Sequence, residues 1–275
     1  MKKLLVASLL CTASLAQAHD LWVTAPATLS PSETLKADLS YSHDFPYPDE
    51  IPADRLHIFE PLHITSPDGT KKDLVQQGKN YQYVSESQLA KGSYVITANY
   101  RPTFWSEFAD DTWAQGDLTK NPTAVACQQA QMFGKSIVVV DGGENLEAIR
   151  RPIGQEIVPL ANPNSAKMGK LFPVRVLFQG KPLADEIVTA TADTIALMDE
   201  EATHDHREPQ IFSGKTDKEG KVNIIPLVEG FWKVKVKHKT PFANQKQCHE
   251  NSLSATLAMQ IGTKRVDIGK PHTHD

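Results

Sequence analysis

Ten histidines are the residues of this chain best equipped to do chemistry, and the sharpest of them is His19, within residues 14–24, SLAQAHDLWVT. Lys2 and Lys3 form a short positive start, Leu4 to Ala16 is an apolar run, and Ala16-Gln17-Ala18 fits the small-x-small cleavage pattern of a secretory signal. Cleavage after Ala18 would make His19 the first residue of the exported chain. A terminal histidine offers its α-amino nitrogen together with Nδ1 of the same ring, so one residue chelates with two nitrogens. The α-amino group has a pKa near 8, far below that of a lysine, which leaves its lone pair accessible at neutral pH. Such donors suit Ni, Cu, Co and Zn better than Mg or Ca.

Eight of the nine other histidines fall into four groups. His43 stands at the end of an expected strand, just before the proline-rich DFPYPDEIP, and is either a ligand or an exposed loop residue. His238 ends WKVKVKH; period two aligns it with Val234 and Val236 against Lys235 and Lys237, so it is a partly buried core histidine or a ligand at a domain boundary. His57 and His63, in LHIFEPLHI, read as structural or supporting residues, with His63 a secondary metal candidate. His204-Asp205-His206 and His272-Thr273-His274 place two imidazoles one residue apart in polar surroundings. His204 and His206 are therefore further secondary candidates, at the cost of ordering entropy whenever they bind.

These residues must be held by strands. Residues 21–101 alternate in short apolar and polar runs (LWVTAP, ETLKADLSYS, YQYVSES, GSYVITANY) punctuated by turns such as Pro67-Asp68-Gly69. Residues 102–120 show no clean period and read as an excursion packed on a sandwich. Asn121-Pro122 has the form of an N-cap and a first helical proline, predicting a short helix to about Phe133. After Arg150-Arg151-Pro152 the strand style resumes, with a two-strand unit about Gly180-Lys181-Pro182, a hairpin at Lys218-Glu219-Gly220 and the strand GFWKVKVKH. The expected fold is all-β: two immunoglobulin-like or transthyretin-like β-sandwiches with one short helix between them. The expected divisions are a signal peptide over 1–18, a first sandwich over 19–150, a second over 151–267 and a His-bearing tail over 268–275.

Composition narrows the function. The formal charge of −4 becomes −6 once Lys2 and Lys3 are lost, which leaves no basic footprint for nucleic acid. The leading apolar stretch is shorter than the roughly 20 residues a spanning helix needs, so no membrane span is expected. There is no Gly-x-Ser-x-Gly elbow, phosphate loop, dinucleotide fingerprint or His-Glu-x-x-His. That inventory points away from a hydrolase or nucleotide enzyme and toward metal binding. Of the three cysteines, Cys11 departs with the signal, and Cys127 and Cys248 should pair in an oxidising compartment. The rival use is a soft metal site of Cys127, Cys248 and His249.

The start AHDLW after a signal, His43 on a strand end, then GKPL (180–183), TDKEG (216–220), GFW (230–232) and His238 together resemble the NikM-like proteins, periplasmic components associated with nickel and cobalt uptake. The later motifs also resemble the transthyretin-like or carboxypeptidase-regulatory sandwich. The resemblance implies a non-enzymatic periplasmic protein that binds nickel or cobalt, with copper or zinc as lesser candidates, and passes the ion to a membrane transporter. It carries His19, His43 and His238 over as ligands. Two other readings stay open: a copper mono-oxygenase-like enzyme built on the terminal histidine, and a non-catalytic surface or adhesion module.

Overall fold

The period-two runs do become strands. The computed structural model describes residues 19–198 and 208–267. Strands β1 (Asp20–Thr24), β2 (Thr28–Leu29) and β3 (Lys36–Ser42) lead to β4 (His63–Thr65), β5 (Lys71–Asp73), β6 (Val75–Gln76) and β7 (Gln82–Val84). Two long strands, β8 (Gly92–Glu107) and β10 (Ala126–Val140), enclose the short β9 (Trp113–Gln115). Helix α1 (Leu146–Arg150) then precedes β11 (Glu156–Pro159), β12 (Phe172–Phe178), β13 (Lys181–Pro182) and β14 (Ile187–Ala192). A one-turn α2 (Asp193–Ala196), β15 (Phe212–Lys215), β16 (Lys221–Ile224), β17 (Gly230–Pro241) and β18 (Glu250–Ile261) follow. Among the described residues no helix is long and apolar enough to cross a membrane.

The result is an all-β sandwich fold of three sheets. One sheet has the order β1-β3-β7-β6, and a second is β11-β12-β13 with β16 on β12. The third runs β15-β14-β17-β18-β10-β8-β4-β5, with β2 on β10 and β9 on β8, and backs both of the others. Leu21, Val23, Leu39, Tyr41, Ile96 and Val138 lie in one core, and Val174, Val176, Val188, Val234, Val236 and Leu257 in another. Residues on either side of the expected boundary at 150 thus share one sheet, because β10 and β18 pair in parallel from Gln128↔Glu250 to Ser136↔Ala258.

Three local expectations need correction. The segment given to a helix, 121–133, is a turn followed by β10: Ala124 N–H donates to Asn121 O, Val125 N–H donates to Glu107 O, and the ladder with β8 begins. Two flanking strands satisfy the backbone of β10 on both sides, which outweighs the weak local helix signal. The short helix between the halves is instead α1, capped by the Asn145 side chain accepting from Ala148 N–H at 3.1 Å. About half of the excursion at 102–120 is regular, since β8 runs on to Glu107 and folds back through β9. At Lys218-Glu219-Gly220 the chain does turn, with Asp217 N–H bonding Lys221 O, yet β15 and β16 enter different sheets. The Pro67-Asp68-Gly69 turn joins β4 to β5 as expected, with Gly69 at φ +93°.

Strand β1 is buried along its whole length because both of its faces are covered. Leu21 and Val23 enter the first core, while Trp22 packs with Phe45, Phe231, Ala196 and Ala258 against the shared sheet. Gly134 of β10 makes this approach feasible: a Cβ there would lie 3.1 Å from backbone atoms of Trp22 and 3.4 Å from Ala98 Cβ. Gly134→Ala should therefore destabilise the protein by about 1–2 kcal/mol, overpacking outweighing the entropy gain in the unfolded chain. Urea denaturation followed by tryptophan fluorescence checks this; an unchanged midpoint would mean that β1 can give way.

Candidate metal site

Antiparallel pairing of β1 with β3 sets Asp20 opposite Ser42 and Leu21 opposite Tyr41. One step further along the same ladder, His19 meets His43. Their ring centroids are 3.4 Å apart at 49°, and His19 also stacks on Tyr41 at 4.5 Å and 9°. Alternation places His19, Leu21, Tyr41 and His43 on the face that looks toward the first core. The two residues singled out first in the sequence are therefore cross-strand neighbours.

A recess of about 40 Å³ opens beside His19, bounded by His19, Tyr41, Arg55, Trp105, Trp113 and Met132. That is room for a small ion with its water, far below the several hundred Å³ of a drug-sized ligand site. Its walls are stiffened by hydrogen bonding and stacking: Trp105 Nε1–H donates to the Tyr100 hydroxyl at 2.6 Å, and Arg55 lies 5.2 Å over the Trp105 ring. Burial pushes the Tyr41 phenol well above its ordinary value, with nearby Tyr100 adding to the effect and Arg55 opposing it. Burial likewise raises Tyr100. Both phenols are neutral at physiological pH and serve as walls. Tyr41 was legible in hindsight, two residues before His43 and so on the same strand face; Met132 was hidden inside the misassigned helix.

The donors fit a late first-row divalent ion in type, but their present spacing does not. Two imidazoles each bound at about 2 Å hold their centroids roughly 4.5 Å or more apart, so these rings must part before an ion can sit between them. Among the described residues, no three His, Cys, Asp or Glu side chains are grouped to hold a metal. A third donor at this point has to come from elsewhere, and the α-amino group of a cleaved His19 would be the nearest.

The remaining candidates lie apart. His238 does not join His19: on β17 it shares a face with Val234 and Val236, the second core, while Lys233 and Lys235 of the opposite face reach Asp20. Its Nδ1 is 2.5 Å from Glu186 Oε1 and its ring meets Phe178 edge-on at 4.9 Å. The convergence of three histidines expected between the sandwiches is absent because the sheet itself stands between them. His63 is engaged at both nitrogens, Nδ1 with Asp73 at 2.6 Å and Nε2 with Glu60 at 3.1 Å. Burial would raise the Glu60 carboxyl, but hydrogen bonds from His63 and Asn99 hold it below its ordinary value. His57 is exposed, its Nε2 3.3 Å from Gln115. Cys127 and Cys248 form the disulfide, and His249 Nδ1 accepts from Cys127 N–H at 3.0 Å, which removes the soft-site alternative. His204, His206, His272 and His274 lie outside the described residues.

A family model, described as a domain of unknown function, DUF4198, matches residues 16–240. The chain belongs to that family. The DUF4198 match takes in both His19 and His43, and every strand up to most of β17. No curated protein matches the sequence. Among solved structures, a mutant form of Salmonella alpha-2-macroglobulin is similar at 12% identity over 88% of this chain and 15% of its own, with a TM-score of 0.24. The methylamine-reacted form gives 13%, the same coverages and 0.23. This chain spans only 15% of the length of those proteins, and such scores establish no common fold.

Proposed function

We propose that this DUF4198 protein is an extracytoplasmic carrier that takes a late first-row divalent ion, nickel or cobalt first, at the amino terminus left by removal of residues 1–18. The single observation that carries the reading is the cross-strand meeting of His19 and His43, with His19 on the wall of a 40 Å³ recess. On cleavage, His19 contributes its amino nitrogen and one ring nitrogen, and His43 the third. The resemblance to NikM-like proteins supports nickel or cobalt as cargo, a periplasmic location and a membrane importer as recipient. Zinc and copper remain weaker alternatives for the same donors.

The test is calorimetric titration of the correctly processed chain with Ni²⁺ and Co²⁺, repeated with one extra alanine ahead of His19 and with His43→Ala. Each change is expected to weaken binding by at least about a hundredfold, since even losses outside the ligand shell reach 10–100-fold. Unchanged affinity in the extended chain removes the terminal chelate; no binding by the parent chain would leave a surface or adhesion module as the better reading.

A second reading is a copper site of mono-oxygenase type. It is favoured by Trp105, Trp113, Tyr41 and the Met132 thioether lining the recess, and disfavoured by the recess being too small for an organic substrate. Electron paramagnetic resonance of the copper-bound chain, with a reductant-driven peroxide assay, separates it from the carrier.

A further inference from the structure

Among the described residues, four exposed apolar side chains gather on two neighbouring loops at one end of the second sandwich. Leu171 and Leu227 are 65% and 63% exposed, Met168 49% and Ile225 40%. The loops, residues 166–171 and 225–229, are tied together: Gly169 N–H donates to Pro226 O at 2.8 Å. The Phe172↔Ile224 pair of the β12–β16 ladder then brings Leu171 alongside Ile225. An apolar cluster on loop tips cannot be explained as core, and contiguous patches of this kind mark interaction surfaces.

Among the described residues of the two loops, the fully exposed charges are basic. Lys167 and Lys170 are exposed in the first loop, joined by a turn from Lys170 N–H to Lys167 O, and Lys264 lies beside the second. The only acid in either loop, Glu229, is half-buried and accepts from Thr263 N–H and Lys264 N–H at 3.2 and 3.3 Å. In a chain whose formal charge is −4, a basic rim around exposed leucines is a local reversal. Leucines that can enter the acyl boundary, ringed by lysines that meet acidic headgroups, are the chemistry of an interfacial anchor.

We propose that the loops 166–171 and 225–229 dock this protein on the surface of a bilayer containing anionic phospholipid. The neighbouring Asn164 Nδ2 donates to Ala27 O, which places this end of the molecule at the finish of β1, opposite His19 at its start. A docked molecule therefore turns its candidate metal site away from the bilayer. The proposal does not depend on the metal reading.

The test is co-sedimentation of the exported chain with vesicles of phosphatidylcholine alone and with 30% (roughly the anionic share that gives a strong surface field) phosphatidylglycerol. Binding is expected only to the anionic vesicles, with a drop of tenfold or more for Leu171→Asp/Leu227→Asp and for Lys167→Glu/Lys170→Glu. Ile187→Asp, a lone exposed apolar residue on β14 at 61%, should bind as the parent does. Thermal midpoints within error of the parent establish that the variants are folded. Equal binding to both vesicle types, an equal loss with Ile187→Asp, or no binding to either vesicle would overturn the proposal; the last would assign the patch to a protein partner instead.

Discussion

Asp20→Ala is expected to lower the unfolding free energy by about 2–3 kcal/mol, below the roughly 3–5 kcal/mol of a buried charge left with no partner, because Glu208 still faces Lys233. Asp20 Oδ2 lies 2.6 Å from Lys233 Nζ, and Oδ1 pairs with Lys235. Lys233 also reaches Glu208 at 2.7 Å and sits over the rings of Trp22 and Phe45 at 5.3 and 4.9 Å. With the side chains of Lys233 and Asp20 only 2% and 8% exposed, water cannot replace the lost carboxylate. The exposed pair Lys215–Asp185, at 62% and 83%, is the internal control; breaking it should cost no more than about 1 kcal/mol. Burial alone would raise the Asp20 carboxyl, but the two ammonium groups outweigh it and hold its pKa far below the ordinary range. A carboxylate depressed in the folded state gives stability that is present above its unfolded pKa, about 4, and fades as the pH falls below that. Urea unfolding at pH 7 and pH 3 checks both statements: the variant should be closer to the parent at pH 3. A loss under 1 kcal/mol at pH 7 would mean that the cluster is hydrated in solution.

The largest effect is expected from the disulfide. Cys127 and Cys248 are separated by 121 residues, and both are buried. In the chain-entropy description, opening a loop of that length frees about 5 kcal/mol of disorder in the unfolded chain. Cys127→Ser/Cys248→Ser should lose that amount in guanidinium denaturation, and reductant should bring the parent to the same midpoint. A loss of less than about 2 kcal/mol would indicate that the reduced, denatured chain still keeps its two halves in contact.

What the sequence revealed, and what it hid, follows from how far apart the interacting residues lie. Period two alone identified β1, β3, β12 and β17, and correctly set His238 on the side of Val234 and Val236. It could not say what covered each side of β17. The packing of Asp20 on Lys233 joins residues 213 apart, and that packing decides which face of the sheet confronts His19. His19 and His43 were chosen for their chemistry, and their adjacency required the β1–β3 register. The misassigned helix has a different cause. Asn121-Pro122 is a sound start signal for a helix, yet the run Ser136-Ile137-Val138-Val139-Val140 and the two flanking strands drew the preceding residues into β10.

The parallel seam between β10 and β18 has a bearing on how the molecule reaches completion. Strand β18, residues 250–261, lies beyond the 16–240 segment that defines the family match. Until it arrives, β10 presents an open hydrogen-bonding margin along Gln128 to Ser136, and Cys127 waits for Cys248. While the chain is being completed, the amino-terminal half is therefore a template with one vacant lane, vulnerable to foreign strands, and the final segment acts as the latch that closes it.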